Sequence, residues 1–283
     1  MVRVLCALCA SAVMLCAEPR RMVSTAPSVT EMLYALGWGD RVVGVTTFCR
    51  YPPEAARKPK VGDYLRPNLE SILALKPDLV IVETTGIRRT ERLPALRLKV
   101  LEVNDGTLAG ICDSIRKIGA AAGVPERAAA LCRQIQAALE DVRRSTAGWP
   151  RRRLMFVAGR APGRLEELIV VGRGSHLNEL IDIAGAANAF GDLAAAYAKV
   201  SLEQVLARNP EVIVDMGEMA DTAGVTEEQK RAVLALWNAQ PALAAVKRRG
   251  VFAVAADAFV VPGPRIVEAA RELARLAHPE VKF

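Results

Sequence analysis

The chain reads as an α/β protein built of two similar lobes joined by one long helix. Three observations carry that expectation. Short apolar runs alternate with helical patterns along almost the whole chain, a helix–proline–strand unit occurs twice in near-identical form, and one amphipathic stretch, Pro125 to Thr146, separates the two copies.

From the N-terminus, Met1-Val2-Arg3 is a short positive region, and Val4 to Leu15 is an unbroken run of apolar or small residues. Leu15-Cys16-Ala17 then precedes the polar Glu18-Pro19-Arg20-Arg21. A membrane span needs about 20 apolar residues, so this shorter run is expected to be a signal peptide, residues 1–17, cleaved after Ala17. Lipidation at Cys16 is the alternative, although Leu15 stands where lipoprotein processing favours a small residue. The first lobe is then 18–124, the connecting helix 125–147 and the second lobe 148–283.

In the first lobe, Met22 to Ala26, Arg41 to Val45, Asp78 to Val82 and Leu98 to Val103 are expected strands. Ser28-Val29-Thr30-Glu31 has the capping-box pattern and opens a helix that closes at Gly37. Asn68 caps a second helix that ends before Pro77. Beyond residue 150 the pattern restarts, with strands near Leu154 to Ala158, Leu168 to Val171, Glu211 to Val214 and Gly250 to Val254. Strands separated by helices predict parallel sheets.

Two internal echoes support a duplicated unit. The run from Leu69 to Val82 matches Leu202 to Asp215 with almost every apolar position preserved: capped helix, proline stop, buried strand. Ser28 to Gly37 matches Ser175 to Gly185 in having a serine, a glutamate in the first turn, an apolar stripe and a closing glycine. Between the copies, Pro125 suits a first helical position, and Leu131, Ile135, Leu139 and Val142 form one stripe. A stiff helix between lobes limits how far they can close.

Composition excludes several classes. Of 283 residues 52% are hydrophobic and 24% charged, enough for sizeable cores. The formal charge is +7, or +6 once the first 17 residues, with one arginine and no acid, are set aside. The basic runs Arg151–Arg153 and Lys247–Arg249 are short and lack interleaved aromatics, so no nucleic-acid partner is expected. Cys49, Cys112 and Cys132 follow the signal, and the turn at Gly123 could bring Cys112 and Cys132 together; a disulfide there is one expectation, burial as small apolar residues the other. No Cys-x-x-Cys pair exists, and with His176 and His278 as the only histidines no metal site is expected.

At this point the residues carry a resemblance. Ala26-Pro27-Ser28-Val29-Thr30-Glu31, Gly44-Val45, Tyr51-Pro52-Pro53, Val61-Gly62 and Asn68-Leu69-Glu70 through Ile81 resemble the periplasmic binding proteins of cobalamin, haem and ferric-siderophore ABC importers. Ser175, Leu177 to Ile181, Gly185, Asn188, Val200 to Glu203 and Pro264-Arg265-Ile266 extend the likeness over nearly all of the chain after residue 17, and the cobalamin-binding members match best. The resemblance implies Rossmann-like lobes with a ligand cleft between them, no enzymatic activity and no cofactor of its own. A cobalamin or another metal chelate would be the transported ligand, and an ABC permease dimer with its ATPase subunits the partner.

Carried over residue by residue, Phe48 and Tyr64 stand at aromatic contacts of the first lobe, Tyr197 at one of the second, and Asp257 at an acid in the cleft; Arg66 lies beside Tyr64. A corrin is a broad apolar face with polar edges, which suits aromatic walls and a few polar groups. Glu70 and Glu203 occupy corresponding places in the two repeats, where the family docks one glutamate per lobe onto the permease; a first-turn acid also favours its own helix dipole. The sequence departs from the cobalamin-binding pattern in having Phe and Tyr at the first-lobe aromatics, and Ala258 to Val261 after Asp257 in place of acids.

Two other readings stay open. A ferric-siderophore or haem cargo would use Arg50, Arg66, Arg88, Arg89, Arg160 and Arg164 if these face the cleft, and haem would need a ligand from Tyr51, Tyr64, Tyr197 or His176. A two-lobed glycosyltransferase- or chelatase-like enzyme is the alternative of another class. It lacks support: there is no phosphate-binding glycine loop, no Gly-x-Ser-x-Gly elbow and no histidine with an obvious nucleophile.

Overall fold

A computed structural model describes residues 18–63, 66–84, 96–217 and 225–280. The signal-peptide expectation for residues 1–17 therefore lies outside the described residues.

The first lobe follows the predicted alternation: β1 (Met22–Ser24), α1 (Pro27–Ala35), β2 (Val42–Gly44), α2 (Pro53–Ala56), α3 (Leu69–Ala74), β3 (Leu79–Glu83), β4 (Val100–Val103) and α4 (Leu108–Ala121). Its four strands are parallel, in the order β2-β1-β3-β4. The connecting helix, α5, spans Pro125–Thr146, and its 22 residues give a length of about 33 Å. The second lobe comprises β5 (Arg153–Gly159), β6 (Leu168–Val171), α6 (His176–Ile183), β7 (Ala187–Asn188), β8 (Tyr197–Val200), α7 (Leu202–Arg208), β9 (Val212–Asp215), α8 (Glu227–Asn238), α9 (Ala244–Lys247), β10 (Val251–Ala253), α10 (Asp257–Val260) and α11 (Ile266–Ala277).

The second sheet runs β10-β9-β5-β6-β8, with β7 also beside β5. Strand β5 pairs with β9 as β1 pairs with β3, both parallel, and β10 lies beyond β9 as β4 lies beyond β3. The internal echo is thus a topological one. The expectation of wholly parallel sheets fails at one edge: β6 is antiparallel to both β5 and β8. Only residues 160–167 join β5 to β6, too few for a parallel crossover, which takes a dozen or more.

Local signals mostly act as predicted. Asn68 Oδ1 accepts from Ser71 N (3.0 Å), and Ser201 forms a full capping box with Gln204. The capping box expected at Ser28 does not form. Helix α1 starts at Pro27 after an uncapped Ala26, Ser28 is buried in the first turn, and Glu31 turns to Arg265 instead.

One continuous apolar core links the lobes. Met22, Leu33 and Ile81 of the first belong with Phe156, Leu177 and Val214 of the second, through Ile135 and Leu139 of α5 and Leu273 of α11. The opposite face of each sheet has its own smaller cluster, Val23–Ile72–Val80 in one and Met155–Ile213–Trp237 in the other. Among the described residues, no helix is long and apolar enough to cross a membrane.

Candidate functional site

On the first lobe the site grows from the turn after β2. Cys49 N donates to Thr46 O (3.1 Å), and the Cys49 side chain is buried with Sγ 3.1 Å from both Thr30 Oγ1 and Thr46 Oγ1. Burial pushes the Cys49 thiol pKa up, with the two hydroxyls only partly offsetting it, so this cysteine is an inert anchor. With Cys49 pinned inward, Phe48 is left facing out, 37% exposed. Thr47 N also bonds Gly62 O (2.9 Å), tying this turn to the 62–66 loop. Gly62 has φ +92°, and a Cβ there would meet Arg66 O at 2.5 Å. Tyr51, 46% exposed, follows the same turn.

On the second lobe the wall is the antiparallel β6–β8 ribbon. Its buried face carries Leu168, Val170 and Val200, so the alternation puts Ile169, Tyr197 and Lys199 on the other. With Gly159, Arg160 and Glu167 these three line a cavity of about 460 Å³, within the range of small-molecule sites. Arg160 is fixed in this wall. Its guanidinium is 3% exposed and donates from Nε to Asp215 Oδ2 (3.1 Å), and the same carboxylate accepts from Trp237 Nε1 (2.6 Å) and Gly217 N (2.5 Å). Asp215 thus neutralises Arg160, which presents a positioned donor rather than a free cation.

Tyr197 divides its two ends between environments. The residue is 43% exposed, yet its hydroxyl lies 3.4 Å from Ser175 Oγ and is desolvated. Burial first, then the nearby Asp105 carboxylate, push the phenol pKa up, so it stays protonated. Asp105 follows β4 of the first lobe, which places Tyr197 at a junction between lobes. There His176 N donates to Gly106 O (2.9 Å) and Leu108 N to Glu179 Oε1 (3.2 Å).

A second junction joins α1 to the start of α11. Arg265 holds Glu31 in a bidentate pair, Nη2–Oε1 2.5 Å and Nε–Oε2 3.1 Å, with side chains 16% and 3% exposed. Burial raises the Glu31 pKa and Arg265 pulls it back. The same guanidinium stacks over Tyr51, 4.1 Å from the ring centroid. Asp257 opens α10 half-buried near this pair and contributes to the field on both partners.

The structure therefore brings Tyr197 and Asp257 to the two lobe junctions and leaves Phe48 exposed on the turn after β2. Arg66 is exposed at the neighbouring loop, its backbone N bonded to Asp63 Oδ1. Tyr64, Arg88 and Arg89 lie outside the described residues. Arg164 is exposed beside Glu166 (3.8 Å) and Arg160 is already paired, so neither is the free cleft cation that an anionic cargo would use.

His176, one of the four residues left open as a haem ligand, is neither a ligand facing the cleft nor solvated at its helix terminus. Its ring is buried with Nε2 3.3 Å from Phe259 O, and burial outweighs that bond, lowering its pKa to about 4. His278 is likewise buried against Gly185 O, so neither histidine is presented as a base or ligand.

Of the two expectations for Cys112 and Cys132, the structure has the buried, unbonded pair. The α4–α5 hairpin brings the residues together with both thiols free, and Cys132 Sγ donates to the Cys112 carbonyl (3.3 Å). Burial, with Cys112 beside it, pushes the Cys132 thiol up to about 12. Among the described residues no cluster of His, Cys, Asp and Glu could hold a metal ion. Glu70 and Glu203 are both exposed, each in the first turn of the helix that leads into the matching strand, β3 or β9.

Sequence reading missed the Glu31–Arg265–Tyr51 stack and the Ser175–Tyr197–Asp105 group. The motifs that contain Glu31, Tyr51 and Arg265 were visible; that they meet across 234 positions was not.

A family model described as periplasmic binding protein matches residues 22–257. A vitamin B12-binding protein of Vibrio cholerae is 31% identical over 256 residues, 89% of this chain and 87% of that protein. The crystal structure of a periplasmic vitamin B12 binding protein from the same organism superposes with a TM-score of 0.77 at 29% identity, covering 92% of this chain and 97% of that one. An uncharacterized ABC transporter substrate-binding lipoprotein of Bacillus subtilis is 30% identical over 270 residues, 93% of this chain and 81% of that protein. A periplasmic heme-binding protein from Roseiflexus sp. RS-1, solved without ligand, reaches the same TM-score of 0.77 at 25% identity, covering 92% and 98%.

Proposed function

The chain belongs to the periplasmic binding protein family, and from that premise we propose that it captures a corrinoid of the cobalamin class outside the cytoplasmic membrane and hands it to an ABC permease dimer with its ATPase subunits. The observation that carries this reading is a set of exposed aromatic rings, Tyr51 and Tyr197 at the two lobe junctions and Phe48 on the turn that leads to Tyr51. A large aromatic side chain normally buries about 150–250 Å², and the part of that area these three keep exposed suits a flat apolar ligand. The 31% identity to a vitamin B12-binding protein supports the same cargo.

Capture in this proposal involves no bond making. The ligand face lies on the aromatic rings, while Arg160, the Tyr197 hydroxyl and Asp257 supply fixed polar contacts at its edges. Export relies on residues 1–17 as a signal peptide. Glu70 and Glu203 then seat the loaded protein on the permease, one acid per lobe for a receptor with two equivalent halves.

Haem is the second reading, favoured by the likeness to a heme-binding protein and by the exposed Tyr51. Purified exported protein titrated separately with cyanocobalamin, haemin and a ferric hydroxamate siderophore tests both, because each is coloured. Tight one-to-one binding of cyanocobalamin alone is expected. Binding of haemin with a tyrosinate charge-transfer band, and none of cyanocobalamin, would replace the corrinoid reading by the haem one.

A further inference from the structure

Seven large apolar side chains stand exposed among the described residues: Phe48, Tyr51, Leu73, Leu96, Trp149, Tyr197 and Leu206. Three belong to the proposed ligand site. Of the rest, Leu73 and Leu206 are not independent, because they occupy the same position in the repeated unit, Leu69 to Val82 against Leu202 to Asp215. A single exposed leucine on a helix is ordinary. The same leucine exposed twice, 40% and 37%, at equivalent places in two lobes is not explained by the fold.

Both leucines lie three residues after the acid of their helix, Glu70 then Leu73 and Glu203 then Leu206. That spacing puts acid and leucine on one helix face. Ala74 and Ala207, the next residues, are exposed as well and leave room for a close approach. The inward sides also match: Ile72 and Val205 are fully buried and anchor α3 and α7 to their sheets. The two helices precede topologically equivalent strands, β3 beside β1 and β9 beside β5. The molecule therefore displays one patch twice: an acid, an apolar side chain one turn on, and an alanine.

We propose that Leu73 and Leu206 form the apolar half of a two-point docking surface, each inserting into an apolar notch beside a cation on one subunit of a two-fold permease dimer. The inference rests on the docking role proposed above for Glu70 and Glu203, and adds to it the contact that holds the complex once charge has steered it. An exposed ion pair contributes little lasting affinity in water, whereas a leucine buried beside it excludes water and strengthens it. Duplication of the patch matches a partner that presents its own surface twice.

The test uses the full exported protein, loaded with the cargo it binds, and the ABC permease–ATPase complex of the same bacterium in lipid nanodiscs. Variants are Leu73→Gln with Leu206→Gln, neutral and helix-compatible, and Glu70→Lys with Glu203→Lys, each checked for unchanged unfolding midpoint and unchanged cargo affinity. Covering one leucine corresponds to about tenfold in Kd, so the leucine double variant is expected to bind the permease about 100-fold more weakly, with the loss in the off-rate. The lysine double variant is expected to lose binding mainly through the on-rate. Unchanged permease affinity in the leucine variant, with loss in the lysine variant, would overturn the apolar contact and leave the docking role of the acids standing. If the lysine variant also bound as wild type, the docking reading itself would fall and this inference with it. Loss in the leucine variant alone would overturn the paired arrangement.

Discussion

Glu31 shows how one residue ties the lobes together. It sits in a helix of the first lobe and its partner Arg265 at the end of the second, both largely shielded from water. Removing one member of such a pair leaves the other buried without compensation, whereas removing both with apolar replacements is far less damaging. Glu31→Gln should therefore cost about 3 kcal/mol in urea unfolding at pH 7, and Glu31→Leu with Arg265→Met should recover most of it. A Glu31→Gln variant as stable as wild type would show that the pair does not hold the lobes. His176 yields a pH dependence of known sign. Its pKa is lowered to about 4 by burial, against about 6.5 in the unfolded chain, so the folded state binds fewer protons in that interval. The neutral ring's contribution is complete above pH 6.5 and is lost as pH falls towards 4, by about 3 kcal/mol at most. Glu31, raised by burial, has the opposite sign: its contribution is present at low pH and lost as pH rises through its folded value. Comparing wild type with His176→Asn by urea unfolding from pH 7 to 4 separates the two, and the variant should show the shallower loss of stability on acidification. Equal slopes would mean that His176 is not buried neutral.

Among the elements, the α4–α5 hairpin is where packing overrides propensity. Gly119 lies inside α4, where alanine would ordinarily stabilise the helix by about 1 kcal/mol. A Cβ there, however, would stand 2.3 Å from the Ala128 Cβ of α5 and 3.2 Å from Val124 O. Gly119→Ala should therefore destabilise, by about 1 kcal/mol net and about 3 °C in Tm, because the clash must spread two packed helices. A raised Tm would show that the helices are not in such close contact. The same comparison of local and tertiary forces explains how much was legible beforehand. Strand positions, the Asn68 and Ser201 caps and both ends of α5 follow from local patterns of apolarity, capping residues and Pro125, and they were readable. The antiparallel β6–β8 ribbon was not, because β8, Tyr197–Val200, is too short to show alternation and sits among alanines. The Ser28 pattern misled because Glu31 found a stronger partner, Arg265, than its own helix terminus. At the candidate site, Phe48 and Tyr197 are expectations that the family resemblance supplies, while Tyr51's stacking and the Asp105–Tyr197 approach depend on contacts across lobes that no local pattern encodes.

For the whole molecule, the continuous core through α5 and α11 argues against wide opening and closing. Two junctions, Gly106–His176 and Glu31–Arg265, bracket the same seam. Spin labels at Arg57→Cys in the first lobe and Arg231→Cys in the second should therefore report a distance change of about 2 Å or less on loading with cargo. A much larger shift would mean that the connecting helix is a hinge and not a brace. The central claim is that aromatic rings on both lobes clamp a flat ligand at this seam, and calorimetric titration of cyanocobalamin tests it most directly. Phe48→Ala with Tyr197→Ala is predicted to weaken binding about 100-fold while leaving the unfolding midpoint unchanged. A double variant that binds cyanocobalamin as tightly as wild type would contradict it.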